Sequence, residues 1–335
     1  MSTFLYNKYK SSYYNAMYDM ILHNILLASS LYSLYTLQSS CLVVFPTIFL
    51  SLMLHRTFII FHDCVHNSYS PNHTFNYILA TFYGILTFTS TNWILDHKTH
   101  HLTNGNITNT YKFKFNELVY YNLNEYKQFT KFGKMLAHVF YHPLVFFTFF
   151  PFLYFVILQR FMYLMKKIKY GDKINNTLYN ITANHIFNNI GICILLYSIN
   201  SISIMPYYLI AVYFSFILDF LLFFCQHTFN PPYVVTNELW NFNNSGLMGS
   251  SFIIIPWYLK YFTCGIEYHH IHHIISKIPG YNMKKYHNEV KQSSNTFDNI
   301  IKLSLYDCYN NLWLMLYDTD QKRYITLKEA NKKID

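Results

Sequence analysis

The chain has 335 residues, of which 52% are hydrophobic and 20% aromatic while only 12% carry charge, about half the roughly 25% of ordinary soluble domains. Such a composition argues against a water-soluble globule. The formal charge of +9 comes from Lys and Arg set between apolar segments and in the C-terminal tail, with no arginine-rich run, so a membrane surface is the expected acidic partner and nucleic acid is not.

Residues 1–20 are polar and tyrosine-rich and lack the short apolar core and cleavage site of a signal peptide, so the N-terminus is expected to be kept. Stretches near Ile21–Leu37, Cys41–Ile60, Ile181–Ile199 and Ser203–Phe224 are long enough for a hydrocarbon core, about 20 residues as helix. Within each pair the connection is a few residues, which predicts two transmembrane helical hairpins, four spans in all, each entering and leaving on one face. Phe75–Ile94 and Val139–Leu158 are ambiguous, because Thr and Asn interrupt the first and Pro143 and Pro151 the second. Either could be an interfacial helix or penetrate partway. Lys112, Lys114, Lys127, Lys131 and Lys134 precede the second of these, and Arg160, Lys166, Lys167, Lys169 and Lys173 follow it. Basic flanks at both ends argue against crossing.

The expected fold is thus an all-α integral membrane protein of one domain, 1–335, with a core of about 21–289. The polar segments 1–20 and 290–335 flank it, the latter as a loosely attached appendage. Both termini and every histidine cluster fall on one face, the cytosolic one. Cys41, Cys64, Cys193, Cys225, Cys264 and Cys308 form no CxxC pair, so neither a disulfide framework nor a zinc ribbon is indicated.

More than half of the 17 histidines lie in three compact groups at the ends of apolar segments. The first is His62-Asp63-Cys64-Val65-His66, whose i, i+4 spacing turns both imidazoles the same way on a helix. His97-Lys98-Thr99-His100-His101 has i, i+3, i+4 spacing. In His269-His270-Ile271-His272-His273 the same spacing selects His269, His272 and His273 and leaves His270 surplus. His227 closes the last span on the same face and is a further candidate ligand. His23, His55, His73, His138, His142, His185 and His287 have no such spacing and read as interfacial or packing residues. Polar side chains are costly at membrane depth, so three such groups together read as a metal site. Eight clustered imidazoles plus His227 exceed the coordination of one ion and suit two. Imidazole serves Zn, Cu, Fe and Ni alike. With no HExxH for a zinc hydrolase and no ExxH in the spans of the kind that supplies soluble di-iron bundles, a nitrogen-rich iron site facing dioxygen and a lipid chain is the reading that remains.

These residues resemble the membrane-bound histidine-box fatty acid desaturase family, and its bacterial-type acyl-lipid members most. HDCVH resembles the first box, HKTHH followed by Leu102-Thr103-Asn104-Gly105-Asn106 the second, and Gln226-His227-Thr228-Phe229 the motif after the last span. Gly249-Ser250-Ser251, Tyr268 to His273 and Ile278-Pro279-Gly280-Tyr281-Asn282 resemble the third-box region. The likeness runs from about Cys41 to Glu289. It implies nine iron ligands, His62, His66, His97, His100, His101, His227, His269, His272 and His273, in a non-haem di-iron centre capping the cytosolic face beside a hydrophobic tunnel. It also implies removal of two hydrogens from adjacent methylenes of a fatty acyl or membrane lipid substrate, with O2 as co-substrate.

The chain departs from the family at Val65, where Gly is common, and at Asn230, where an acidic residue often stands and a carboxylate near the metals is lost. Asp63 and Asp96 are candidates to orient imidazoles or to cap helices. Without an HPGG haem motif, electrons are expected from a separate cytochrome b5 or ferredoxin. The terminal Lys332-Lys333-Ile334-Asp335 resembles a dilysine signal for the endoplasmic reticulum, meaningful in a eukaryotic or virus-infected cell; otherwise the cell membrane is expected. Trp93 and nearby aromatics are candidates for the substrate channel. A lipid hydroxylase of the same superfamily is the near alternative, and a non-catalytic scaffold or metal transporter the distant one.

Overall fold

The computed structural model describes residues 3–107, 121–161 and 175–334. Lys112, Lys114, Lys166, Lys167, Lys169, Lys173 and Asp335 lie outside the described residues. The first ten helices are α1 (Thr3–Tyr9), α2 (Tyr13–Leu37), α3 (Val44–Val65), α4 (His73–Leu86), α5 (Trp93–Thr103), α6 (Leu123–Lys127), α7 (Lys131–Phe140), α8 (Pro143–Phe152), α9 (Asn175–Ser201) and α10 (Met205–His227). Six short ones follow: α11 (Phe242–Met248), α12 (Lys260–Thr263), α13 (His269–Ile274), α14 (Gly280–Ser293), α15 (Leu305–Asn311) and α16 (Leu327–Lys332).

Among the described residues four helical stretches are long and apolar enough to cross a membrane: Leu5–Leu37, Cys41–Val65, Pro143–Phe161 and Met205–His227. This is a membrane protein, and the first and second of these contain, and the last overlaps, three of the expected spans. The apolar run after His142 is more continuous than its prolines suggest. Pro143 occupies the first helical turn, where its missing N–H costs nothing, and Pro151 is accommodated by a π-helical turn at Leu153–Leu158. The other expected span, Ile181–Ile199, lies within α9, which at 27 residues is long enough but is diluted by Asn184, His185, Asn188 and Asn189. Part of that polarity is used internally: Arg160 donates to the Asn188 side chain (2.7 Å) and to the Phe88 carbonyl, tying the end of the Pro143–Phe161 stretch to α9.

The central helix is α3. It packs against α2, α4, α10 and α12, and Leu50, Met53, Leu54, Ile60 and Phe61 are buried along it. Because lipid is as apolar as leucine, such packing holds the bundle by van der Waals fit and by the few polar contacts between helices. Arg56 on α3 is one: it donates to Asp19 of α2 and to the Tyr261 carbonyl, with its guanidinium 4.1 Å from the Tyr261 ring.

Residues 290–334 are packed, not loosely attached. Strand β2 (Ser251–Ile253) pairs in parallel with β3 (Ile301–Leu303). Short β1 (Tyr121–Asn122), β4 (Leu314–Asp318) and β5 (Arg323–Thr326) form a second sheet in the order β1-β4-β5. Leu316 and Ile325 are buried between this sheet and the α6 side chains Leu123 and Tyr126. The N-terminal polar segment is also ordered: α1 lies on α14, where Lys8 and Tyr9 both donate to Glu289 and the Asn282 amide donates to the Tyr9 carbonyl. An otherwise helical protein therefore carries a small mixed cap over the end of the bundle where α2 begins and α3 and α10 end.

Candidate metal centre

The three histidine-rich segments and His227 come from four chain regions and meet at that end of the bundle. His62 ends α3 and His66 caps it, α5 carries His97, His100 and His101, α10 ends on His227, and α13 is the third segment itself. Two groups result: His62, His66, His97 and His272, and His100, His227, His269 and His273, with the ligand atoms in each within 4.8 Å of one another. His101 belongs with the first, since its Nε2 is 3.0 Å from that of His97 and 2.9 Å from that of His272. It also stacks on His273, centroids 4.3 Å apart, so it joins the two groups. All nine residues singled out in the sequence are thus together; His270 is not. His270 Nε2 lies 3.1 Å from His287 Nδ1, and its ring meets Phe297 edge-on.

The facing nitrogens are too close to be satisfied by one another. His97 Nε2 has His62 Nε2 at 2.9 Å, His101 Nε2 at 3.0 Å and His272 Nε2 at 3.4 Å. A neutral imidazole brings one N–H and one lone pair, so His97 Nε2 can satisfy at most one of these three neighbours at a time. In the second group, His227 Nδ1–H donates to the Gly249 carbonyl (3.0 Å), which leaves its Nε2 as a bare acceptor 3.1 Å from His100 Nε2 and 2.9 Å from His269 Nε2. Burial, reinforced by neighbouring imidazoles, holds His66, His97, His100, His269, His272 and His273 well below the usual histidine range, and His101 at about 3. These rings are neutral at pH 7 with lone pairs free to bind a cation. The donor set and its convergence fit two transition-metal ions.

The surroundings orient the rings. Trp93 stacks on His97 (4.3 Å) and approaches His62 (5.8 Å), with Phe58 and Phe61 beyond it, so the bundle side of the first group is an aromatic wall. Asp63, one of the carboxylate candidates, accepts the Gly280 N–H at the start of α14 (2.7 Å). Its other oxygen is 3.4 Å from His62 Nδ1. It therefore caps α14 and faces the His62 ring at once. Asp96 sits in the first turn of α5, where a carboxylate complements the helix dipole. Asn230 has no metal role in this geometry, because its side chain pairs with both backbone groups of Tyr324 on the outer edge of β5. Sequence reasoning missed Lys277, whose ammonium donates to the His66 carbonyl at 2.7 Å; a lone lysine after the third segment carries no signal. Gly249 stands in a quoted motif, but a carbonyl's role cannot be read from residue type.

A model of the fatty acid desaturase family matches residues 39–298, a range that includes all nine histidines. The chain belongs to the fatty acid desaturase family. A fatty acid desaturase of Bacillus subtilis (strain 168) is 30% identical over 278 residues, covering 82% of this chain and 74% of that relative. For this desaturase-family enzyme a fatty acyl or lipid substrate follows from membership, and the two histidine groups could hold metal ions.

Proposed function

We propose that this chain is an oxygen-dependent fatty acyl desaturase with a non-haem two-iron centre on the cytosolic face. In this reading His62, His66, His97, His101 and His272 hold one iron, and His100, His227, His269 and His273 hold the other. The observation that carries it is the convergence of two buried imidazole groups, each within 4.8 Å, in a member of the desaturase family. Bound iron supplies the oxidising chemistry: dioxygen, two protons and two electrons from a separate cytochrome b5 or ferredoxin, with two hydrogens from adjacent methylenes, yield a double bond and two waters. The chain's own residues bind, orient and exclude. Trp93, Phe58 and Phe61 give the first group an apolar wall that suits an acyl chain and keeps water away; the Gly249 carbonyl fixes the His227 tautomer; Asp63 faces His62 while capping α14. Retention in the endoplasmic reticulum through Lys332 and Lys333 would require release of Lys333, whose ammonium pairs with Asp318 at 2.5 Å.

The test is expression in a desaturase-deficient yeast with fatty acids profiled by gas chromatography–mass spectrometry, beside His272→Ala/His273→Ala. New unsaturated species with the intact chain alone support the proposal and locate the double bond. Hydroxylated species alone would overturn it in favour of an oxygenase. Purified, folded protein without iron would overturn the metal assignment.

A further inference from the structure

The second histidine group depends on His227, the one candidate ligand outside the three histidine segments. His227 is turned by the Gly249 carbonyl, and that carbonyl has a second donor. Asn104 Nδ2 lies 3.1 Å from Gly249 O, and 3.5 Å from Ser245 O. Asn104 is the C-cap of α5, the helix that carries His97, His100 and His101. Its backbone is fixed independently of its side chain: its N–H donates to the His100 carbonyl (2.9 Å), and its carbonyl accepts from Trp240 Nε1 (2.9 Å) and Ser245 Oγ (2.8 Å).

The space around this contact is closed. A Cβ at Gly249 would lie 2.6 Å from Ser245 O and 2.9 Å from Asn104 Nδ2, so only glycine brings its carbonyl to both donors. Three residues earlier, a Cβ at Gly246 would lie 2.7 Å from Ile274 Cγ1 and 3.4 Å from His273 Cβ, which seats α11 directly on the third histidine segment. The network thus links His100, His227 and His273, all of the second group. The first group leans on other contacts, those of Asp63 and Lys277.

We propose that Asn104 is a positioning residue for the second metal. By donating to Gly249 O beside His227, it keeps the peptide plane oriented so that His227 stays the Nδ1–H tautomer with Nε2 toward His100 and His269. The proposal rests on the two-iron reading. Removing a group that orients a ligand typically weakens metal binding about 10–100-fold, and here the loss falls on one of two ions.

The test uses the full chain purified in detergent as wild type, Asn104→Leu and Asn104→Asp, with iron per chain by mass spectrometry, its retention against increasing chelator, and a thermal melt. Both variants keep the backbone contacts of residue 104, so they are expected to fold; Asp keeps the shape but replaces the donor by an acceptor. We expect the variants to retain one iron as the wild type does and to surrender the other at about 10–100-fold lower chelator, as His227→Ala does more completely. Wild-type protein that folds without iron would sink the two-iron reading and this inference with it. Wild type holding two irons, with variants that hold both equally well or lose both together, would overturn the role of Asn104 alone. Iron loss that merely follows a lowered melting temperature would overturn it too; Trp240→Phe, which loosens the same loop without touching the Gly249 contact, provides that comparison.

Discussion

The contact between His55 and Asp219 gives the sharpest test of how this bundle is held together. His55 stands seven residues before His62 on α3, and Asp219 eight before His227 on α10. At 1.5 Å per residue the pair therefore lies roughly 10–12 Å below the histidine groups. His55 Nδ1 and Asp219 Oδ1 are 2.6 Å apart, with side chains only 6% and 4% exposed. Hydrogen bonds between transmembrane helices average ~0.6 kcal/mol when a freed group finds another partner. At this burial none is offered, so the cost of an unpaired group dominates. We expect His55→Leu, which strands a buried carboxyl, to cost ~3–5 kcal/mol, and Asp219→Leu, which strands a ring nitrogen, ~1–3 kcal/mol. The double Leu variant removes both polar groups and should fall within ~1 kcal/mol of wild type. Reversible unfolding in mixed micelles with increasing SDS, followed by tryptophan fluorescence, reads all four proteins. A double variant that costs the sum of the two singles would refute the reasoning, because the pair would then contribute no coupling.

Gly280→Ala would press a methyl to 1.9 Å from the Cys264 carbonyl; we expect it to displace the α14 start from Asp63 and lower folded yield severely, measured by size-exclusion recovery, with normal recovery counting against the packing described. Burial, with Lys291 and Lys302 nearby, pushes the His287 imidazole down to about 4, whereas in an unfolded chain it titrates near 6.5. The unfolded chain takes up that proton first, so stability present above about pH 6.5 is lost as pH falls toward 4; His287→Gln should flatten part of this slope in melts at pH 7.5, 6 and 5, and an unchanged slope would exclude His287 as a contributor. Asn230→Ala removes two hydrogen bonds to Tyr324 and should cost about 1–2 kcal/mol locally, read as faster amide exchange across Arg323–Thr326 with little change elsewhere.

The helices and the histidine groups were legible because both follow from local spacing. A period of 3.6 places His97, His100 and His101 on one face whatever the rest of the chain does, and long apolar runs have few alternatives in lipid. What was hidden depends on contacts between distant segments. The strand Leu314–Asp318 shows no clean alternation of apolar and polar residues, being buried over most of its length, and its parallel partner is two residues long and almost two hundred residues earlier. The His55–Asp219 pair joins two spans whose register no sequence rule supplies, so His55 looks like one more packing histidine. Asn230 stands where the resemblance led to an acidic side chain, yet here it satisfies a sheet edge. At Pro143–Phe161 the local signal misleads in the other direction, since a first turn and a π turn absorb the two prolines.

The way the nine histidines divide between the two groups bears on how the enzyme is made. Each group mixes an early with a late stretch of chain: the first needs His272 as well as His62 and His66, and the second needs His269 and His273 as well as His100. While the ribosome is still synthesising the segment before residue 269, all the early histidines can already lie at the membrane surface, yet neither group is complete. Neither group has its full set of imidazoles until α13 arrives. A metal ion bound by every member of either group could thus be held only by a chain extended past that segment, whatever already lies at the membrane surface.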